Sequence, residues 1–182
     1  MFDLEKELKE LPQNSIALIL VSTDAYAQTN IRILDIFVNK RKMPGIYITV
    51  NKPYKTIVPY LEQKGINTKK LFFIDLITSE ISEATEKIDN CLFMESPKSL
   101  TDLSIALSEA VKSMPGDKFI FLDTLSTLLV YNQLTTVTKF AHFLTSKMRQ
   151  WDINGLLVSM EKETDPNLQA QLAQFCDKVI TL

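Results

Sequence analysis

Uninterrupted apolar runs alternate with stretches in which apolar residues recur every three or four positions, from one end of the chain to the other. Ile16–Val21 is the strongest run, and a strand with no polar position is one covered on both faces. From Thr29 to Lys42, Ile31, Leu34, Phe37 and Val38 repeat at helical spacing until Gly45 stops them. Ile46–Val50 predicts a second strand, Tyr54, Ile57, Val58 and Leu61 a helix ended by Gly65, and Leu71–Ile74 a third strand. Between Leu76 and Pro97 the pattern predicts a short helix (Ile81, Ala84, Ile88) and a strand from Cys91 to Met94. Ser99-Leu100-Thr101-Asp102 has the form of a capping box and opens a helix through Leu103, Ala106, Leu107, Ala110 and Val111. Pro115-Gly116 breaks it. Phe119–Leu122 is the next strand, ending on Asp123, and a long helix then carries Val137, Phe140, Ala141, Leu144 and Met148 on one stripe. Leu156–Met160 is a strand, Asp165-Pro166 opens a short helix through Leu168 and Leu172, and Val179–Leu182 is a last strand.

Strand–helix alternation at this spacing implies right-handed βαβ units. The expected fold is a three-layer α/β/α domain with a mostly parallel central sheet, formed by residues 1–182 as one unit without repeats or linkers. A chain of 182 residues buries roughly 70% of its unfolded surface and needs no staple. Cys91 and Cys176 stand alone, without metal or disulfide spacing, and suit a reducing compartment. The charged opening, Met1 to Glu7, does not read as a secretory leader. Ile16–Val21 is far shorter than the ~20 residues that cross a bilayer. The expected location is therefore the cytoplasm, with no membrane insertion. A net charge of −2 argues against a nucleic-acid-coating protein.

In open α/β sheets, ligands bind beyond the carboxyl ends of the strands. After the first strand the chain reads Ser22-Thr23-Asp24-Ala25-Tyr26-Ala27-Gln28-Thr29. A phosphate-binding loop has the pattern G-x-x-x-x-G-K-[ST] at this place. The spacing matches, but Ser22 and Ala27 replace the glycines, Gln28 replaces the lysine, and only Thr29 is kept.

Taken together, Gly45–Val50, Phe119–Ser126, Asn154–Ser159 and Asp177–Leu182 resemble, in order and spacing, the core segments of RecA-superfamily ATPases of the KaiC-like group. The resemblance extends over essentially the whole chain and implies a RecA-like fold. It also implies a magnesium-coordinating role for the counterpart of Asp123, and acidic residues after the second strand to activate water. Here those positions hold Asn51 and Lys52, neither a carboxylate base. The loop has lost its glycines and lysine and gained Asp24, whose charge costs roughly 1–4 kcal/mol at 4 Å from a phosphate charge.

The expectation is a catalytically inactive RecA/KaiC-like domain serving as a protein-binding or regulatory module, without cofactor. Its partner is a protein, either a second copy or an active RecA-like relative. The alternative is an ATPase that binds ATP and magnesium through a rebuilt phosphate loop. In either case the candidate nucleotide-site residues are Ser22, Asp24, Ala27, Gln28, Thr29 and Asp123, with no catalytic or metal residues assigned. Thr29 is expected as a helix N-cap and Asp123 as a strand-end turn cap through Thr124 or Ser126. His142, the single histidine, reads as a surface or boundary residue. Glu161, Glu163 and Asp165 form an acidic loop that usually means solvation, with a metal site as the minor reading. Lys40-Arg41-Lys42 favours the negative end of its helix.

Overall fold

A computed structural model describes residues 4–81, 87–162 and 164–182. Its elements run in the order α1 (Leu4–Lys9), β1 (Ile16–Val21), α2 (Thr23–Leu34), β2 (Gly45–Thr49), α3 (Tyr54–Gln63) and β3 (Leu71–Asp75). Then come α4 (Thr78–Ile81), β4 (Cys91–Phe93), α5 (Leu100–Ser113), β5 (Phe119–Asp123) and α6 (Leu125–Tyr131). The chain closes with α7 (Leu134–Gln150), β6 (Asn154–Met160), α8 (Pro166–Phe175) and β7 (Lys178–Thr181). A π-helical turn, Asp35–Lys40, extends α2.

The seven strands form one parallel sheet in the order β4-β3-β2-β5-β6-β1-β7. The uninterrupted apolar runs take the central places: every residue of β1, β2, β5 and β6 is buried. Edge strands keep exposed positions, Leu92 in β4 and Val179 and Thr181 in β7. Strand alternation divides the core in two. Ile16, Leu18, Ile48, Ile120 and Leu122 face α5 to α8, while Ala17, Ile19, Tyr47, Phe119 and Phe121 face α1 to α3. The expected three-layer α/β/α architecture is thus the one observed. Among the described residues, no helix is long and apolar enough to cross a membrane.

Several local expectations need correction. The helix after β1 starts at Thr23, directly behind Ser22, and not at Thr29. Thr29 is therefore not an N-cap but a buried residue in the middle of α2. Leu125–Tyr131 forms a helix of its own between β5 and the long α7, an element that the apolar pattern does not predict. Ser99 precedes α5 as expected, yet its side chain makes no capping hydrogen bond. Of the predicted helix through Ile81, Ala84 and Ile88, Thr78–Ile81 is helical and Ile88 instead makes an antiparallel bridge with Cys91, while Ala84 lies outside the described residues. Asp165 caps α8 as read, its carboxylate accepting from the Asn167 and Leu168 N–H groups. Burial pushes the thiols of Cys91 and Cys176 up to about 12, which leaves both as unreactive apolar side chains at neutral pH.

Candidate functional site

Sheet order brings four strand ends together at one edge. Thr49 of β2 is level with Asp123 of β5, Asp123 with Val158 of β6, and Val21 of β1 with Met160. This is the edge where ligands of parallel α/β sheets sit. Its centre is the carboxylate of Asp123, which is 1% exposed.

Asp123 follows Phe121 at a two-residue interval, so its side chain lies on the α2 and α3 side of the sheet. Tyr47 reaches it from the neighbouring strand and Tyr26 from the first turns of α2. The Tyr26 hydroxyl donates to Oδ1 at 2.5 Å and the Tyr47 hydroxyl to Oδ2 at 2.5 Å. Asp123 thus does not cap the following turn, because its side chain points to the α2 layer. The hydroxyl of Thr124 does that work, accepting from the Thr127 N–H at 3.2 Å.

The network continues outward. Asn51, just after β2, donates from Nδ2 to the Tyr26 hydroxyl at 3.1 Å and accepts from the hydroxyl of Thr127. Thr127 and Thr124 share a hydrogen bond at 2.9 Å, and Thr124 and Ser126 another at 3.0 Å. Ser126 accepts from the Met160 N–H at 3.1 Å, linking the start of α6 to the end of β6. Lys52 lies across the Tyr60 ring, its ammonium 5.1 Å from the centroid. The space left between Tyr26, Asn30, Tyr47, Lys52 and Asp123 is about 10 Å³, the room of about one water molecule.

Burial raises the Asp123 carboxyl above its ordinary value, and the Tyr26 and Tyr47 donors, the Asn30 amide and the Lys52 charge pull it partly back. Burial and the carboxylate together raise both phenols, so each remains a protonated donor at neutral pH. The native state therefore holds the Asp123 proton more tightly than the unfolded chain does. Stability is reduced by the buried charge above the folded pKa and regained as pH falls from that value towards the unfolded one near 3.9. Urea unfolding across a pH series is expected to show wild type gaining on Asp123→Asn through that window and a constant difference above it. A wild type that loses ground to Asp123→Asn on acidification would contradict the raised carboxyl.

The other sequence-selected residues fall as follows. Ser22 sits at the N-cap of α2 without a side-chain cap, its N–H donating to the Leu182 carbonyl at 3.0 Å. Asp24 is exposed on the first turn, where a carboxylate complements the helix's own positive end. Ala27 and Gln28 follow on the same helix, Ala27 lining the small cavity and Gln28 facing solvent. Of the six candidate residues, only Ala27 and Asp123 border that cavity. Tyr26 and Tyr47, which complete the centre, were not among them. A hydroxyl inside an otherwise apolar central strand, as in Ile46-Tyr47-Ile48, was the available signal, since a buried phenol needs a partner.

Lys40 and Arg41 of the basic triplet have partners within the fold, while Lys42 is exposed. Lys40 pairs with Glu5 at 2.9 Å and Asp35 at 3.5 Å. Arg41 donates to the Leu8 carbonyl and lies over the Phe37 ring, tying α1 down. His142 is exposed beside Phe175, Asp165 is a helix cap, and Glu163 lies outside the described residues.

No curated protein matches this sequence. Among solved structures, the chain is similar to the crystal structure of the KaiC-like protein PH0186 from the hyperthermophilic archaeon Pyrococcus horikoshii OT3. The superposition has a TM-score of 0.69 and covers 94% of this chain and 72% of the other at 10% identity. That likeness establishes the RecA-like, KaiC-type fold and nothing of the chemistry. Residues 41–182, from the end of the α2 extension to the last residue, match the model of a family of unknown function, DUF7504, and the chain belongs to that family.

Proposed function

We propose that this RecA-like domain does not hydrolyse nucleotide and acts as a protein-binding or regulatory module. The observation that carries this reading is the state of Asp123: both carboxylate oxygens already accept short hydrogen bonds, in a space of about 10 Å³. Magnesium keeps near-ideal octahedral geometry with several waters and substrate phosphates, and that volume does not hold such a shell. The backbone argues the same way. A phosphate loop needs several residues of open turn whose N–H groups point inward, whereas here Ser22 alone separates β1 from α2. Asp24 and Gln28 stand where the loop pattern would need a neutral turn and a lysine. Asn51 and Lys52 supply no carboxylate to activate water. The residues present therefore do not fit a magnesium–nucleotide complex.

Pure protein is expected to give no ATP or GTP hydrolysis above a buffer blank. Calorimetry with ATP and magnesium should find no affinity tighter than the millimolar range. Magnesium-dependent turnover abolished by Asp123→Ala would overturn the reading, as would micromolar binding of ATP, the result that a rebuilt phosphate site predicts.

A further inference from the structure

α5 separates two grooves. Leu100, Thr101 and Ser104 face α7 across one of them, while Asp102, Ile105, Ala106 and Glu109 turn the other way, towards edge strand β4. The second groove, about 340 Å³, is apolar in its middle, with Ile105 55% and Leu92 39% exposed. Its rim is acidic: Asp102 and Glu109 from α5, and Glu95 just past β4. Among the described residues, none of these three carboxylates has a cation within ion-pair distance. An apolar seat with an unneutralised acidic rim fits a cationic, apolar-centred helix face.

The chain carries such a face. α7 has no Asp or Glu at all, and Lys139, Phe143 and Lys147 follow one another at four-residue steps along it. Phe143 is 41% exposed, with the Lys147 ammonium 5.8 Å from its ring centroid. At 1.5 Å per residue the two lysines are about 12 Å apart along the axis, and Asp102 and Glu109 about 10 Å apart along α5. That difference is within the reach of a lysine side chain. One stripe reads cation, aromatic, cation; the other reads anion, aliphatic, anion. Within one molecule they cannot meet, because the acidic stripe is on the side of α5 turned away from α7.

We infer that the α5–β4 groove of one copy receives the Lys139–Phe143–Lys147 stripe of a second copy. This rests on the reading of the domain as a protein-binding module and names its partner. The contact joins two different patches, so it is head-to-tail and leaves a free groove at one end and a free stripe at the other end of any open assembly. Phe143 would enter between Leu92 and Ile105, and each lysine would meet a rim carboxylate.

The test is sedimentation velocity of the full chain across a concentration series up to about 100 µM, the range in which weak specific contacts become visible. Wild type is expected to associate, less so at high salt. Ile105→Asp and Phe143→Asp, both at exposed positions, are each expected to be monomeric with unchanged thermal unfolding. Non-specific electrostatic attraction to the acidic groove predicts the opposite for Ile105→Asp, since that variant adds negative charge. The decisive sample is the mixture of the two variants. The Ile105→Asp copy keeps its stripe and the Phe143→Asp copy keeps its groove, so the pair should form a one-to-one dimer and stop there. Asp102→Lys with Glu109→Lys should weaken association roughly tenfold or more. A wild type that stays monomeric, a variant that associates like wild type, or a mixture that does not pair overturns the inference. None of these outcomes bears on nucleotide turnover, so the reading of Asp123 stands or falls separately.

Discussion

Replacing Tyr47 by alanine is expected to lower the unfolding free energy by about 3–5 kcal/mol, the range of large-to-small aromatic substitutions in cores. Tyr47 is fully buried, and its ring lies 5.0 Å from Phe121 and 5.4 Å from Phe73 by centroid. Removing it opens a cavity among rings held by both neighbouring strands. It also removes the donor to Asp123 Oδ2, leaving a buried carboxylate with one tyrosine in place of two. Tyr47→Phe separates the two losses. The ring stays, the donor goes, and the expected cost is about 1–3 kcal/mol, that of leaving a buried acceptor without its partner. Urea unfolding of both variants at neutral pH measures each part. A Tyr47→Phe variant within about 0.5 kcal/mol of wild type would mean that the hydroxyl does not hold the carboxylate. The same variant is expected to raise the Asp123 carboxyl further, because a donor that favours the charged form is lost.

The layers of this fold were legible because burial on both faces writes itself as unbroken apolar runs. β1, β2, β5 and β6 were found that way, as was α7, whose buried stripe of Val137, Phe140, Ala141, Leu144 and Met148 matches the spacing read. What failed was the stretch after β1. The spacing of Ser22 to Thr29 against a phosphate-loop pattern suggested a loop, whereas its residue types favour a helix: Ser22 at a cap position, Asp24 in the first turn, Ala25, Ala27 and Gln28 within. The centre of the site was harder. Tyr26 and Tyr47 stand 97 and 76 residues from Asp123, and only the placing of β2 beside β5, with α2 above them, makes them its partners. Asp123 itself was legible as a strand-end carboxylate, but not the side of the sheet on which its partners lie.

That placing depends on a glycine, and Gly45→Ala is expected to cost about 3 kcal/mol, the upper end of overpacking penalties. Gly45 opens β2 and lies level with Phe119 of β5 on one side and Leu71 of β3 on the other. A Cβ there would stand 2.4 Å from two carbons of the Phe119 ring. The ring has nowhere to go: Phe119 is fully buried, with Phe37 at 5.1 Å between centroids. Two residues further along the same pair of strands is Tyr47, and four residues beyond Phe119 is Asp123, so a shift that relieves the clash loosens the hydroxyl–carboxylate contact as well. Gly155→Ala is the control. Its Cβ would meet the Met148 sulfur at 2.5 Å and Ile16 carbons at 3.2 and 3.3 Å, and a thioether on a flexible side chain can swing aside, for an expected cost of about 1 kcal/mol. Phe119→Leu shrinks the obstacle, so the double variant with Gly45→Ala should be more stable than the sum of the two single losses predicts, by about 1 kcal/mol or more. Equal costs for the two glycine variants, or strict additivity in the double variant, would show that the Phe119 ring does not fix the β2–β5 approach on which the Tyr47–Asp123 contact is built.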